Sequence, residues 1–265
     1  MRLPDMGFRR CLNLGMVLAI ALPLSACVSA ARSNTLVMAT SPDYCPYEFI
    51  ESSEDGETLT GFDIELAEAI ATELGYSLRI RTLHFNGLLP ALNNDRVDFV
   101  MAAMTPTAER KAVARFSQTY HEAVPTIIAP AGSNLTTLAD LAGKEVGVRQ
   151  GTFYEQMLLS RTEAVVVPVE TTTALVRRVK TRQVDAGIID GALASDYVTE
   201  KSRLEAATLP NARPAGVAIA FPPRSSRVGQ FNTVLRQLEE QGEIDRLARK
   251  WFEDYTCPTA SDLVE

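Results

Sequence analysis

The sequence predicts an α/β protein built as two lobes. Strand-length apolar runs alternate with amphipathic helical stretches, the pattern of parallel sheets covered on both faces. The alternation starts afresh after Pro125, giving two cycles. At 265 residues the chain can form one large domain or two modest ones.

Each element follows from its residues. Thr35 to Thr40 reads as a buried strand, followed by a loop rich in Pro and acidic residues that ends at Gly61. Phe62, Leu66, Ala67, Ile70 and Leu74 recur at helical spacing, with Glu65, Glu68 and Glu73 outside the stripe. Asp63 suits the cap of that helix and Gly75 its stop. A strand over Ser77 to Thr82, a short helix from Asn86 through Leu92 and a strand over Val97 to Ala102 follow. Thr107 caps a helix to about Ala114. In the second cycle, strands are expected over Thr126 to Ala129, Val146 to Arg149, Val165 to Val169 and Ala186 to Ile189. Between them lie helices at Leu138 to Ala142, from Gly151-Thr152 through Leu159, and at Thr172 to Thr181, with another continuing to about Glu200. A last strand, Ala215 to Phe221, precedes helices near Arg227 to Gln241 and Glu243 to Phe252.

The N-terminus speaks to compartment. Arg2, Arg9 and Arg10 precede an apolar run from Leu12 to Leu24, then Leu24-Ser25-Ala26-Cys27. A basic start, a short apolar stretch and small residues before a cut site describe a secretory signal over residues 1–26. The run is short for a membrane span. Its end resembles a bacterial lipobox, in which Cys27 is lipidated and begins the mature chain. An ordinary signal cut near Ala26 or Ala30 is the alternative. Residues 27–34 then form a tether, and the protein is expected in the periplasm or on the cell surface, membrane-anchored through Cys27.

Loss of residues 1–26 removes Arg2, Arg9, Arg10 and Asp5, leaving 23 basic and 32 acidic residues, a net charge of about −9. That balance argues against nucleic acid as a partner. Cys45 and Cys257 are an even pair in an oxidising compartment, hence a candidate disulfide. It would close a loop of about 212 residues, worth about 5 kcal/mol in the chain-entropy account; two free cysteines are the alternative. His84 and His121 show no ligand spacing with a cysteine, so neither metal nor cofactor is expected.

Six segments carry a resemblance: Tyr44-Cys45-Pro46-Tyr47-Glu48-Phe49, Gly61-Phe62-Asp63-Ile64-Glu65-Leu66, Gly87-Leu88-Leu89-Pro90-Ala91-Leu92, Thr105-Pro106-Thr107-Ala108-Glu109-Arg110, Gly147-Val148-Arg149-Gln150-Gly151-Thr152 and Trp251-Phe252. In this order and spacing they resemble bacterial solute-binding protein family 3, the periplasmic amino-acid-binding proteins of ABC transporters. The resemblance runs from Thr35 to Phe252. It implies the type II-like periplasmic-binding-protein fold, two lobes joined by two hinge crossovers with a ligand cleft between them. Lobe one is then 35–124 and 217–257, lobe two 125–216, and 258–265 a tail. It also implies an amino-acid ligand and a membrane permease as partners, with the binding protein itself a monomer.

An amino-acid zwitterion carries two charges that are costly to bury unpaired. Arg110 offers a planar fork for the carboxylate and matches the family's carboxylate-binding arginine. It lies in the first turn of a helix, where a cation opposes the dipole, so a nearby anion is expected. Gly151 and Thr152 open a helix and present free N–H groups and a hydroxyl. Asp190 follows a strand at the end where α/β folds hold ligands, and suits the ammonium or a helix cap, or both. The Ala103 carbonyl and the Thr105 hydroxyl complete that set. Tyr44 and Phe85 match the family's two aromatic walls, and Met104 is expected at the floor. Ser41 stands where relatives that bind basic or amide side chains often carry an acid, though Asp43 or Glu48 could substitute. Arg149 lies near the side-chain end, able to hold an acidic or amide group or to stand in solvent. A polar or acidic amino acid is the expected ligand.

Two alternatives remain. Cyclohexadienyl dehydratases resemble this family throughout, and their C-terminal region resembles Trp251-Phe252-Glu253 and Pro258-Thr259-Ala260. In those enzymes a glutamate follows the lobe-two aspartate by three residues; here that position is Leu193, which donates no proton. No enzyme activity is therefore expected. The other alternative is a ligand-sensing domain that signals to a separate receptor.

Overall fold

A computed structural model of the protein describes residues 34–53, 56–209 and 215–257. The signal segment, Cys27, the tether before Asn34 and the 258–265 tail lie outside the described residues.

In chain order the strands are β1 (Thr35–Thr40), β2 (Asp43–Tyr44), β3 (Glu48–Ser53), β4 (Gly56–Thr60), β5 (Ser77–Thr82), β6 (Phe99–Val100), β7 (Arg115–Ala123), β8 (Pro125–Pro130), β9 (Glu145–Arg149), β10 (Val165–Val169), β11 (Ala186–Asp190), β12 (Leu204–Thr208) and β13 (Ala215–Phe221). The helices are α1 (Phe62–Glu73), α2 (Leu88–Asn93), α3 (Ala108–Val113), α4 (Phe153–Arg161), α5 (Thr172–Lys180), α6 (Gly191–Tyr197), α7 (Val228–Glu240) and α8 (Glu243–Ala248). A π-helical turn over Arg249–Asp254 extends α8.

Two five-stranded sheets are ordered β5-β1-β6-β13-β7 and β10-β9-β11-β8-β12. In each, three neighbours run parallel: β5, β1 and β6 in one, β10, β9 and β11 in the other. The fourth strand runs against them. The expectation of parallel sheets is corrected on this point, and the cause is topological. β8 follows β7 out of the first sheet, and β13 brings the chain back. A strand entering from the other lobe starts at the cleft and runs away from it, opposite to strands that end there.

Other differences are local. The stretch after β1 is not a plain loop: β2, β3 and β4 form a three-stranded antiparallel sheet. β7 and β12 were not anticipated, and the expected strand over Val97 to Ala102 is only Phe99–Val100. The helix from Asn86 is a 3-10 turn over Phe85–Gly87 leading into α2. Asp63 does not cap α1; Gly61 stands at that position. A Cβ on Gly61 would lie 2.4 Å from the Tyr47 carbonyl oxygen, and its φ of 126° already disfavours other residues. Thr107, Thr152 and Thr171 cap α3, α4 and α5, each accepting a backbone N–H three residues on.

Cys45 and Cys257 form a disulfide, tying the turn before β3 to the chain beyond the last helix. Near it, Trp251 packs edge-on against Phe49, and the Tyr255 hydroxyl donates to Glu51 at 2.7 Å. Replacing both cysteines by serine is expected to lower unfolding stability by about 2–5 kcal/mol, because a loop this long is freed in the unfolded chain. Urea unfolding of the two proteins checks this; equal midpoints and slopes would refute it.

Candidate functional site

The parallel strands of both sheets end on one cleft. β1 leads to Ser41 and Tyr44, β5 to Phe85, β6 to Ala103 and Thr105; β9 ends at Arg149 and β11 at Asp190. Tyr44, Phe85, Ala103, Thr105, Arg110, Arg149 and Thr152 line the cleft together, around a space of about 30 Å3. Met104 is buried in the first-lobe core, and neither it nor Gly151 nor the buried Asp190 is among these lining residues. Ala102, Phe153 and Tyr154 also line the cleft and were missed. Their signal was position: Phe153 and Tyr154 open the helix that Thr152 caps.

Arg110 is 8% exposed. One guanidinium nitrogen donates to the Thr105 carbonyl and the other to the Gly151 carbonyl, each at 2.7 Å. It thus touches a carbonyl from each lobe and spends two of its five donors. Its centre lies 5.2 Å from the Phe85 ring centroid. Burial lowers its pKa to about 10, so it stays charged at neutral pH.

Gly151 has φ +73°, and a Cβ there would meet Asn86 Oδ1 at 2.1 Å. The missing side chain lets the second lobe close on Asn86 of the first. The Thr152 hydroxyl donates to the Arg149 carbonyl at 2.7 Å and caps α4. Asp190 accepts from the Tyr47 hydroxyl at 2.9 Å, a contact that spans the lobes, and from the Ala192 N–H at 3.1 Å. It therefore does cap α6. Burial raises its pKa to about 6, against the lowering effect of those donors.

Arg149 is not solvated. It is 5% exposed, and its guanidinium lies between two rings, 5.2 Å from the Tyr44 centroid and 5.0 Å from that of Phe85. The same group pairs with Asp43 and donates to the Ser41 hydroxyl at 3.1 Å. Ser41 and Asp43, noted in the sequence only as a departure and its substitute, are thus partners of this arginine.

Beneath the cleft sit two buried carboxyls. Asp63 accepts from the Ala103 N–H and the Tyr120 hydroxyl, each at 2.9 Å. Ala103 has φ +44°, so Asp63 braces a strained turn of the cleft wall. Glu48 is wholly buried, and neither of its oxygens meets a partner in the hydrogen-bond geometry among the described residues. Burial, then the neighbouring Asp63, hold the Glu48 pKa well above the usual carboxylate range. Burial also raises Asp63, from 3.8 to about 7. A raised carboxyl pKa favours the folded state below the unfolded value, and that contribution is lost as pH rises through the folded one. Stability is therefore expected to fall between about pH 4 and 7, and Asp63→Asn, which still accepts both bonds, to flatten the fall. Denaturant midpoints across that range test it; parallel pH profiles would contradict it.

No helix among the described residues is long and apolar enough to cross a membrane, and no group of metal-ligating side chains occurs among them.

The chain has relatives among known proteins. The profile of the bacterial extracellular solute-binding proteins, family 3, matches residues 36–254. The arginine-binding extracellular protein ArtP of Bacillus subtilis (strain 168) is 35% identical over 243 residues, covering 88% of this chain and 94% of ArtP. The amino acid ABC transporter substrate-binding protein AbpA of Streptococcus pneumoniae, bound to L-arginine, superposes with a TM-score of 0.75 at 29% identity, over 88% of this chain and 97% of that one. An ancestral amino-acid-binding protein, AncCDT-1, described as a precursor of cyclohexadienyl dehydratase, gives a TM-score of 0.74 at 30% identity, over 83% and 96%. The two-lobed fold, its cleft at the strand ends and the match over nearly all the described chain lead to one assignment: this protein belongs to the bacterial extracellular solute-binding proteins, family 3.

Proposed function

We propose that the protein binds an amino acid between its lobes and delivers it to the permease of an ABC transporter. Arg110, with Gly151 and Thr152, receives the α-carboxylate; Asp190, the Ala103 carbonyl and the Thr105 hydroxyl receive the ammonium. These groups are divided between lobes, so only closure satisfies both charges, and the ligand favours the closed state by that difference. The observation that carries the side-chain reading is the sandwich of Tyr44 and Phe85 beside Asp43, which holds a guanidinium, that of Arg149. A slot that fits one guanidinium fits another, so the preferred ligand is an amino acid with a long, planar cationic side chain, L-arginine first. ArtP and AbpA, both described by arginine, support the choice. A polar or acidic side chain reaching Arg149 is the second reading, favoured by the position of that cation at the end of the cleft.

The remaining assignments share this reading. Residues 35–124 and 217–257 form lobe one; lobe two is 125–216, with β13 beginning the return at Ala215. A lipid on Cys27 holds a monomer at the membrane surface. A dehydratase on this fold is disfavoured by Leu193, which is buried on α6 and donates no proton.

A thermal-shift panel on refolded protein tests the ligand class. At 1 mM, a micromolar ligand stabilises by about 4 kcal/mol, a shift of about 8–16 °C for this size. The largest shift is expected with L-arginine. A larger shift with L-glutamate or L-glutamine would favour the second reading, and turnover of prephenate would overturn both.

A further inference from the structure

We propose that Arg149 is an internal occupant of the ligand's side-chain slot, a latch that closes the lobes without ligand and that a cationic amino acid displaces. This role for Arg149 rests on the amino-acid-binding reading above. Arg149 stands at the end of β9 in the second lobe, whereas all four of its partners, Tyr44, Phe85, Ser41 and Asp43, belong to the first. Two aromatic faces, a carboxylate and a hydroxyl are what a free guanidinium side chain requires. One guanidinium fills the space between the rings, so a second enters only if Arg149 leaves.

Its hold is incomplete. The Nε–H of Arg149 is buried without a hydrogen-bond partner among the described residues. A flexible ligand that also pairs its α-groups with Arg110 and Asp190 gains contacts that Arg149 does not make, and Arg149 gains water on leaving. The consequence depends on ligand length. For a cationic ligand, Arg149 is a competitor, reducing apparent affinity by the fraction of time it occupies the slot. For a small amino acid that does not reach the slot, the latch remains in place and assists closure. Arg149 thereby sets a threshold against cationic ligands and holds weak affinity for short ones.

The test compares wild type with Arg149→Ala, and with Arg149→Gln as a second variant that keeps a polar side chain, all stripped of ligand by refolding. Titration with L-arginine and with L-serine gives the diagnostic. Removal of Arg149 is expected to tighten L-arginine binding about tenfold or more and to weaken L-serine binding, a reversal of sign that general destabilisation does not produce. Small-angle scattering without ligand reads the latch independently, and the variants are expected to have the larger radius of gyration. Weaker L-arginine binding in both variants, with scattering equal to wild type, overturns the latch and leaves the cationic-ligand reading standing. No L-arginine binding to any of the three overturns that reading and, with it, displacement of Arg149 by a cationic ligand, and wider variants then support only the closure by Arg149.

Discussion

Replacing Arg110 by alanine is expected to weaken amino-acid binding about a thousandfold. The guanidinium is buried, and it donates to carbonyls of both lobes. Removing it leaves the ligand carboxylate without its main partner inside a cleft that excludes water. Truncating one partner of a buried, hydrogen-bonded charge pair costs about 2–5 kcal/mol or more, and about 4 kcal/mol corresponds to that thousandfold change. Lysine at this position is expected to recover only part of the loss, because a point charge does not bind both carboxylate oxygens as a fork does. Calorimetric titration with the best wild-type ligand checks both variants, with a thermal melt to confirm folding. An Arg110→Ala protein that binds within tenfold of wild type would move the carboxylate elsewhere.

The second large effect concerns Asp190 and pH. Its carboxyl, raised to about 6 by burial, must be ionised to pair with an ammonium. As pH falls below about 6 the free protein takes up a proton there, and the ligand has to displace it. Affinity is therefore expected to decline by up to tenfold per pH unit below about pH 6 and to be level above it. Asp190→Asn keeps the shape and can still accept from Tyr47, yet removes the charge. It is expected to lose about a hundredfold in affinity at pH 7.5, about 2.7 kcal/mol, together with most of the dependence on pH. An unaltered slope in the variant would assign the titration to another group, with the Glu48 and Asp63 pair the next to examine.

Much of this arrangement was legible in the residues, and the remainder was not for physical reasons. The parallel strands β1, β5, β9, β10 and β11 are continuous apolar or alternating runs, so pattern alone located them. Arg110 and Asp190 were legible because Arg110 lies in the first turn of the helix that Thr107 caps and Asp190 is itself the cap of α6. The antiparallel pieces were hidden. Apart from buried Glu48 and Phe49, the described residues of β3 and β4 are exposed or half-buried, and no apolar period announces their pairing. β7 mixes exposed and buried positions without strict alternation, because it lies at a sheet edge with α7 packed near it. Arg149 shows the limit most clearly. Its neighbours in sequence gave either a ligand contact or a solvated strand end, and only the meeting of three distant segments, 41–44, 85 and 149, showed it stacked between rings.

The position of the bound amino acid in a crystal structure of the complex decides whether the cleft holds its ligand as proposed. The α-carboxylate is expected within hydrogen-bond distance of the Arg110 guanidinium, the ammonium against Asp190, and the side chain between Tyr44 and Phe85 with Arg149 swung out. An amino acid bound outside this cleft, or with its carboxylate turned away from Arg110, would contradict that placement.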